Sequence, residues 1–172
     1  MIRDQETLNL LLDTISRFVR ERLVPNEARV AETDRIPDEL VSEMKELGLF
    51  GLSIPEEHGG MGLTMEEEVL ATFEIGHTSP CFRSLFATNN GIGGQGIVID
   101  GTPEQKAHYL PKLVTGELIG SFALTEPDSG SDAASLRTTA VRDGDYYVLN
   151  GTKRYITNAP EAGIFTVMAR TD

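Results

Sequence analysis

The hydrophobic periodicity of the chain changes near residue 117, and this change limits the folds that the sequence can adopt. Before residue 117, apolar side chains recur every three or four positions, as on the buried face of an amphipathic helix. The first such face comprises Leu8, Leu11, Leu12, Ile15, Phe18, Val19 and Leu23. After residue 117, short apolar runs alternate with turn residues, as in strands joined by hairpins. We therefore predict an α-then-β fold, with an all-α helical domain over residues 1–117. The opening strands of an antiparallel, barrel-like domain are predicted over residues 118–172.

Capping residues predict where the helices begin and end. Pro25 is expected to close the first helix, because proline removes a backbone donor from the helix interior. The second helix is expected to begin near Pro37 and to stop at Gly48. Thr64 with Glu67, and Thr102 with Gln105, have the spacing of capping boxes, in which each residue bonds the backbone of the other. Further starts are predicted at Ser79-Pro80 and at Thr102-Pro103, the last helix running to about Gly116.

Two dipeptides in the second part predict tight hairpins. Asp143-Gly144 and Asn150-Gly151 each lie between apolar runs, and both central positions of such turns accept a positive φ. On this interpretation, "TKRYITN" (residues 152–158) and "GIFTVMARTD" (residues 163–172) are further strands.

Charge and cysteine content exclude several classes of protein. The 27 acidic and 15 basic side chains give a net charge of −12, which opposes nonspecific binding to nucleic acid or anionic membranes. Cys81 is the only cysteine, so a domain held by internal disulfides is excluded. The N-terminus lacks the plan of a signal peptide, and no apolar run approaches the ~20 residues that span a bilayer. We expect a cytoplasmic protein without membrane insertion. The three histidines are too scattered for a metal motif, so no metal is expected.

The segment "GIGGQG", residues 91–96, matches the dinucleotide pattern G-x-G-x-x-G. That pattern carries its meaning only where it follows a strand and opens a helix within a βαβ unit. A helix is predicted before it here, and a new helix cap follows it. A tight junction between two helices is therefore favoured over a nucleotide site.

The segment "ALTEPDSGSD", residues 123–132, places hydroxyl groups and backbone amides around a proline turn at the end of a strand. Concave turns of this kind bind anions and polar rings through fixed N–H dipoles. A turn that satisfies its own hydrogen bonds would use the same residues. The residues of this segment alone leave both interpretations open.

Two motifs at matching separation resemble the acyl-CoA dehydrogenase family. "GSFALTEPDSGSD" (residues 120–132) is followed by "NGTKRYITNA" (residues 150–159). Upstream, "GIVIDGTPEQKAHYLPKLVTGELIG" (residues 96–120) is similar to that family's entry to the sheet. The resemblance covers essentially the whole chain. It implies a longer enzyme, with a C-terminal helical domain, that uses FAD to introduce an α,β double bond into an acyl-CoA thioester.

The resemblance also implies which residues contact the cofactor. They are Phe122, Leu124, Thr125, Gly130, Ser131, Tyr155, Ile156 and Thr157. Thr125 would bond the pyrimidine edge of the flavin, and the Thr157 hydroxyl would approach the N5 atom that receives hydride. Gly130 and Ser131 would lie near the pyrophosphate, and Ser131 also near the thioester arm of the substrate. Many relatives carry Trp at the position of Tyr155, where we expect aromatic packing on the flavin to persist.

No catalytic residue is assigned within this chain. The glutamate base of the family is expected beyond residue 172, and Glu126 matches a structural position in the Thr-Glu-Pro turn. The 172 residues alone are therefore expected to be inactive. The family also implies an electron-transfer flavoprotein as electron acceptor and a homotetramer.

Two alternatives to a dehydrogenase stay open. One is a relative on the same fold that passes electrons to oxygen, such as an acyl-CoA oxidase or flavin monooxygenase. The other is a non-catalytic fragment or partner subunit. For a dehydrogenase, we expect the region of residues 84–96 to form the lower wall of a pocket for a medium or longer acyl chain. The small residues expected to leave space there are Ala87, Gly91, Gly93 and Gly94.

Overall fold

A computed structural model of the chain describes residues 4–171, in which α-helices come first and β-strands follow. The α-helices are α1 (Gln5–Phe18), α2 (Glu27–Thr33), α3 (Asp38–Glu46), α4 (Met65–Ile75), α5 (Pro80–Asn90), α6 (Gln95–Asp100) and α7 (Pro103–Val114). The strands are β1 (Gly120–Ala123), β2 (Thr139–Asp143), β3 (Tyr146–Asn150) and β4 (Ile164–Val167). The predicted order of a helical part followed by strands is confirmed. The predicted outer limits at residues 1 and 172 lie outside the described residues.

The prediction that Pro25 ends the first helix is wrong. Helix α1 continues as a π-helical turn over Val19–Leu23 and a 3₁₀ turn over Val24–Asn26, and then enters α2. Pro25 has no N–H for an α-helical bond. The spacing of the backbone hydrogen bonds therefore lengthens to five residues before the proline and shortens to three residues in the turn that contains it. The Val24 amide accordingly donates to the Val19 carbonyl, five residues back. The proline therefore changes the hydrogen-bonding pattern without ending the helical path.

The other predicted helix starts are confirmed, and each follows from a local cap. Thr64 and Glu67 form the predicted capping box of α4, and Thr102 and Gln105 form that of α7. Helix α3 follows Pro37, and α5 begins at Pro80 after Ser79. Gly48 adopts a φ of 71° after α3, a conformation that glycine reaches without steric cost. The segment 91–96 joins two helices, as predicted, but the second of them is α6 over Gln95–Asp100, a helix that the sequence analysis did not predict.

Helix α5 runs through the centre of the hydrophobic core. Its Phe82 and Phe86 are buried, and the Phe86 ring meets Phe50 edge to face with centroids 6.0 Å apart. The remaining large buried side chains of this cluster include Ile15, Val19, Leu23, Leu40, Met44 and Leu49. A second, smaller cluster joins Ile54 to Leu110 and Leu113 of α7. Burial on all sides fixes the C-terminal end of α5, from which several contacts to the strands are made.

The strands form two separate pairs. Strands β2 and β3 form the predicted antiparallel hairpin, with Gly144 at a φ of 60° in its turn. Strands β1 and β4 pair in parallel, with Gly120 opposite Ile164 and Ala123 opposite Val167. Antiparallel pairing was expected throughout, and the β1–β4 pair departs from it because some forty residues of intervening chain return β4 to the same direction.

The predicted hairpin at Asn150-Gly151 is wrong, and "TKRYITN" is not a strand. Residues 151–163 form turns and irregular backbone, with Tyr155 at a φ of 57° and Asn158 at a φ of 63°. Left-handed backbone at these two positions is incompatible with an extended strand. The segment lies alongside β1 instead, held there by hydrogen bonds described below.

Across residues 4–171, none of the helices combines the length and the apolar content needed to cross a bilayer.

Candidate functional site

The turn that follows β1 satisfies its own backbone. The amide of Glu126 donates to the Ser129 carbonyl at 2.8 Å, and the Ser129 amide donates back at 3.3 Å. The Ser129 hydroxyl donates to the Asp132 carbonyl at 2.7 Å. One of the two interpretations left open by the sequence, a self-satisfied turn, therefore holds for Glu126 and Ser129. It does not extend to Thr125 or Ser131.

Glu126 is a buried acceptor that ties three segments together. Its carboxylate accepts hydrogen bonds from the amides of Arg137 (2.6 Å) and Thr138 (2.8 Å). It also accepts one from the Lys153 ammonium group at 2.9 Å. The Thr138 side chain is the largest cause that lowers the pKa of Glu126, followed by the Lys153 ammonium group and the Arg137 amide, and the pKa falls from 4.5 to about 2. A carboxylate held in its charged form in this way is a poor proton acceptor at neutral pH.

The second motif runs antiparallel along the first. Lys153 Nζ donates to the Leu124 carbonyl at 2.9 Å, and the Arg154 amide donates to the Thr125 carbonyl at 2.8 Å. At the other end, the Ser121 hydroxyl donates to the Thr157 carbonyl at 2.6 Å. The two motifs recognised in the sequence thus lie side by side. Lys153, which the sequence analysis did not single out, joins them.

Tyr155 presents its ring to the outside from a left-handed backbone. The residue is 76% exposed, and the Arg154 guanidinium carbon lies 4.3 Å from the ring centroid. A non-glycine residue at positive φ is uncommon, and strained backbone of this kind tends to cluster at functional sites. The neighbouring Ile156 is half-buried and Thr157 is exposed.

Asn158 anchors this segment to α5. Its side-chain amide donates to the carbonyls of Ser84 (2.9 Å) and Leu85 (3.1 Å), and to the Thr88 hydroxyl (2.9 Å). Asparagine tolerates the left-handed conformation better than most residues. The segment that carries Tyr155 and Thr157 is thereby fixed relative to the helical core.

The hydroxyl groups around the two motifs fall into two sets. Those of Ser121 and Ser129 are used in hydrogen bonds within the protein. Those of Thr125, Ser131, Thr152, Tyr155 and Thr157 have no hydrogen-bond partner among residues 4–171. The second set contains the three hydroxyls that the sequence analysis assigned to the cofactor or substrate. A donor set of this kind fits a polar, hydrogen-bonding ligand such as a flavin.

The remaining predicted cofactor residues lie on the same two segments. Phe122 is half-buried on β1, and Leu124 is half-buried immediately after it. Gly130 is exposed, and a Cβ atom placed on it would lie 3.9 Å from the nearest atom, the Thr125 methyl carbon. Because Gly130 has no side chain, the surface beside Thr125 stays uncovered and a ligand can approach Thr125.

Two consecutive asparagines at the end of α5 were missed by the sequence analysis. Asn89 is fully buried, and its amide donates to the carbonyls of Leu113 and Leu118, each at 2.9 Å. Its side-chain oxygen accepts from the Gly120 amide at 2.7 Å, where β1 begins. Asn90 bonds the Leu49 carbonyl at 2.7 Å. The sequence does show two adjacent asparagines directly before a glycine-rich segment, and this pair was the signal that could have indicated a buried hydrogen-bonding position.

An apolar groove of about 790 Å³ lies beside this end of α5. Its apolar lining includes Leu63, Met65, Val69, Phe73 and Ile99. Glu68 and Arg83 contribute charged side chains to the lining. Burial raises the pKa of Glu68, and the charge of Arg83 opposes that rise. The composition of the groove suits an apolar ligand.

Of the four small residues expected to leave space for an acyl chain, only Gly91 lines this groove. Gly93 and Gly94 are buried and serve another purpose. A Cβ atom at Gly94 would lie 2.0 Å from the Asn89 carbonyl oxygen, and one at Gly93 would lie 2.8 Å from that of Thr88. These glycines allow one stretch of backbone to pack directly on another. The expectation that they widen a pocket is wrong.

Within the described range, no group of three or more His, Cys, Asp and Glu side chains is arranged to hold a metal ion.

Comparison with known proteins assigns both parts of the chain to one family. Residues 5–117 match the family model described as "Acyl-CoA dehydrogenase, N-terminal domain", and residues 121–172 match "Acyl-CoA dehydrogenase, middle domain". A curated acyl-CoA dehydrogenase of Bacillus subtilis (strain 168) is 40% identical over 154 residues, which are 90% of this chain and 41% of that protein.

Solved structures match over the same range. An acyl-CoA dehydrogenase complexed with FAD, from Bacillus anthracis, superposes with a TM-score of 0.88 at 36% identity, over 99% of this chain and 30% of that one. A chain in a structure of the electron transferring flavoprotein of Acidaminococcus fermentans gives a TM-score of 0.90 at 35% identity, over 100% of this chain and 46% of that one. The chain thus spans less than half the length of each protein.

Proposed function

Because the chain belongs to the acyl-CoA dehydrogenase family, we propose that it forms one wall of the FAD site of an enzyme that dehydrogenates an acyl-CoA thioester. Since the chain covers less than half of its relatives, the activity is proposed for the complete protein. We also propose residues 1–117 and 118–172 as the helical domain and the first part of the β-domain.

One observation carries this proposal. The two motifs are held side by side, and the hydroxyls of Thr125, Ser131 and Thr157 have no partner among the residues that the structure describes. The neighbouring hydroxyls of Ser121 and Ser129 are fully engaged in the fold. Such a division supports ligand binding over a turn that merely satisfies itself.

Each residue of the proposed site has a role that its position allows. Thr125 would bond the pyrimidine edge of the flavin, with Phe122 and Leu124 beside the ring. Gly130 and Ser131 would lie near the pyrophosphate, and Ser131 also near the substrate thioester arm. The second motif would contribute Tyr155 and Ile156 as packing surfaces and the Thr157 hydroxyl as a donor.

When bound, FAD would accept a hydride from the β-carbon of the thioester as a base removes the α-proton. The chain's own contribution is to bind and orient, through donors directed at positions where negative charge develops. Glu126 is unsuited to act as the base, because its carboxylate already accepts three hydrogen bonds. We propose that the base lies outside residues 1–172.

The electron acceptor and the substrate class are also proposals. An electron-transfer flavoprotein is proposed as acceptor, in line with the match to a chain in the Acidaminococcus fermentans structure. The apolar groove beside α5 supports a medium or longer acyl chain as substrate. A homotetramer stays a prediction from the family resemblance, and a cytoplasmic location stays a prediction from the N-terminal sequence pattern.

The Thr157→Val variant of the complete protein tests the proposed site, because it removes the hydroxyl and nearly preserves the shape. We expect it to cost roughly 1–3 kcal/mol in FAD binding or in flavin reduction by substrate. FAD affinity is measured by titrating the apoprotein, and the reduction rate by anaerobic stopped-flow absorbance.

Thr152→Val is the matched control, since Thr152 is exposed and its hydroxyl makes no hydrogen bond with another described residue. This control should behave as the unmodified protein does. Unchanged FAD affinity together with an unchanged reduction rate in Thr157→Val would refute the assignment. Rapid reoxidation of the reduced holoenzyme in air would instead favour an oxygen-using relative over a dehydrogenase.

A further inference from the structure

In the peptide group that joins Leu124 to Thr125, the carbonyl has a hydrogen-bond partner and the N–H has none among the described residues. Its carbonyl oxygen accepts a hydrogen bond from Lys153 Nζ at 2.9 Å. No cis peptide bond occurs in the described chain, so the Thr125 N–H lies in the peptide plane and points in the opposite direction from that carbonyl. This N–H has no acceptor among residues 4–171. It is therefore available to a ligand.

Lys153, the partner of the Leu124 carbonyl, is held in place by its surroundings. Its side chain is only 12% exposed, and its ammonium group lies 2.9 Å from a Glu126 carboxylate oxygen. Glu126 is itself fixed by the amides of Arg137 and Thr138. The cation thus has a defined position and little freedom to leave it for solvent.

A cation bonded to a peptide carbonyl polarises the whole peptide group. Hydrogen bonds in a chain strengthen one another, and the effect is larger where the surroundings have a low dielectric constant. Electron density drawn toward the Leu124 oxygen leaves the Thr125 N–H a stronger donor. The Glu126 carboxylate, which accepts from the same ammonium group at 2.9 Å, offsets part of the lysine charge, whereas the hydrogen bond to the carbonyl acts on the peptide directly.

We propose that Lys153 is a positioning residue for flavin chemistry, which acts through the Leu124–Thr125 peptide to strengthen the Thr125 N–H donor. The inference rests on the proposed function, in which Thr125 meets the pyrimidine edge of the flavin. Negative charge grows at that edge when the flavin is reduced, so a stronger donor there stabilises reduced FAD more than oxidised FAD. Lys153 accordingly raises the two-electron reduction potential of the bound flavin.

The test measures the potential and the affinity of the flavin in the complete protein. The double variant Glu126→Gln/Lys153→Met removes the cation without leaving its carboxylate partner unpaired. We expect its affinity for reduced FAD to fall about tenfold more than its affinity for oxidised FAD. For a two-electron couple that ratio corresponds to a potential lower by about 30 mV. Lys153→Arg, which keeps a cation, should shift the potential less.

Two further variants complete the experiment. Lys106→Met removes a half-buried cation of α7, outside the proposed site, and should leave the potential unchanged. Lys153→Gln, which keeps a neutral donor in place of the cation, carries the same test if the double variant fails to fold. It should lower the potential in the same direction.

The outcomes separate the inference from the function on which it rests. Weaker FAD binding with an unchanged potential in the lysine variants would mean that Lys153 is only structural, and would overturn the inference alone. An unmodified complete protein that binds no FAD would overturn the proposed function and the inference with it. A lower potential in the double variant, absent from Lys106→Met, would support the inference.

Discussion

Replacing Asn89 by alanine should uncouple the helical core from the first strand. The substitution leaves the Leu118 carbonyl and the Gly120 amide without their partner, whereas the Leu113 carbonyl still accepts from the Gly116 amide. Asn89 is fully buried, and each unsatisfied buried group costs about 1–3 kcal/mol. We therefore expect the free energy of unfolding of the complete protein to fall by about 2–6 kcal/mol.

Equilibrium urea unfolding followed by far-UV circular dichroism would measure this loss. Hydrogen exchange of residues 118–123 would show whether the opening is local to β1. The control is Asn26→Ala, because the Asn26 side chain makes one exposed hydrogen bond, to the Arg22 carbonyl at 2.8 Å. It should cost no more than about 1 kcal/mol. Equal losses for the two variants would refute the view that Asn89 holds β1 in place.

The remaining predictions concern two glycines, Glu126 and the length of the acyl chain. Gly94→Ala should destabilise the protein by about 1–3 kcal/mol, because its Cβ would lie 2.0 Å from the Asn89 carbonyl oxygen. Gly130→Ala, with 3.9 Å of clearance, should change thermal unfolding little. The folded-state pKa of Glu126 is depressed from 4.5 to about 2, so its contribution to stability is present above pH ~4.5 and lost as the pH falls toward 2. Glu126→Gln should flatten the dependence of stability on pH in that window, and an unchanged acid transition would contradict it. Turnover of butanoyl, octanoyl and hexadecanoyl thioesters by the complete protein should favour the longer chains, and a clear preference for butanoyl would exclude the proposed substrate class.

Local signals were sufficient to predict where α3, α4, α5 and α7 begin, whereas α2 and α6 were not predicted. The capping boxes at Thr64 and Thr102 act between residues three positions apart, so the sequence displays both partners. The hairpin at Gly144 is equally local. Pro25 misled the prediction because its effect depends on whether the preceding turn can widen, which a single residue does not reveal.

The site was less accessible to sequence reasoning, since its contacts join distant parts of the chain. Asn158 bonds carbonyls of α5 more than seventy positions earlier, and those contacts accompany the left-handed backbone that prevents a strand. Lys153 is one charged side chain among many until Leu124 and Glu126 lie beside it. The family resemblance supplied the proposed cofactor residues, but it did not supply the groups that hold them.

The parallel pairing of β1 with β4 has a consequence for the order in which the chain folds. The paired residues Gly120 and Ile164 are separated by more than forty positions, whereas the hairpin of β2 and β3 closes over two residues. Loop closure makes distant contacts slow to form, and parallel strand pairing is especially so. We expect the helices and the hairpin to form early, and the β1–β4 pair to be completed late. A ligand that binds beside β1 would then meet a chain that is already nearly folded, so it would slow unfolding far more than it would speed refolding.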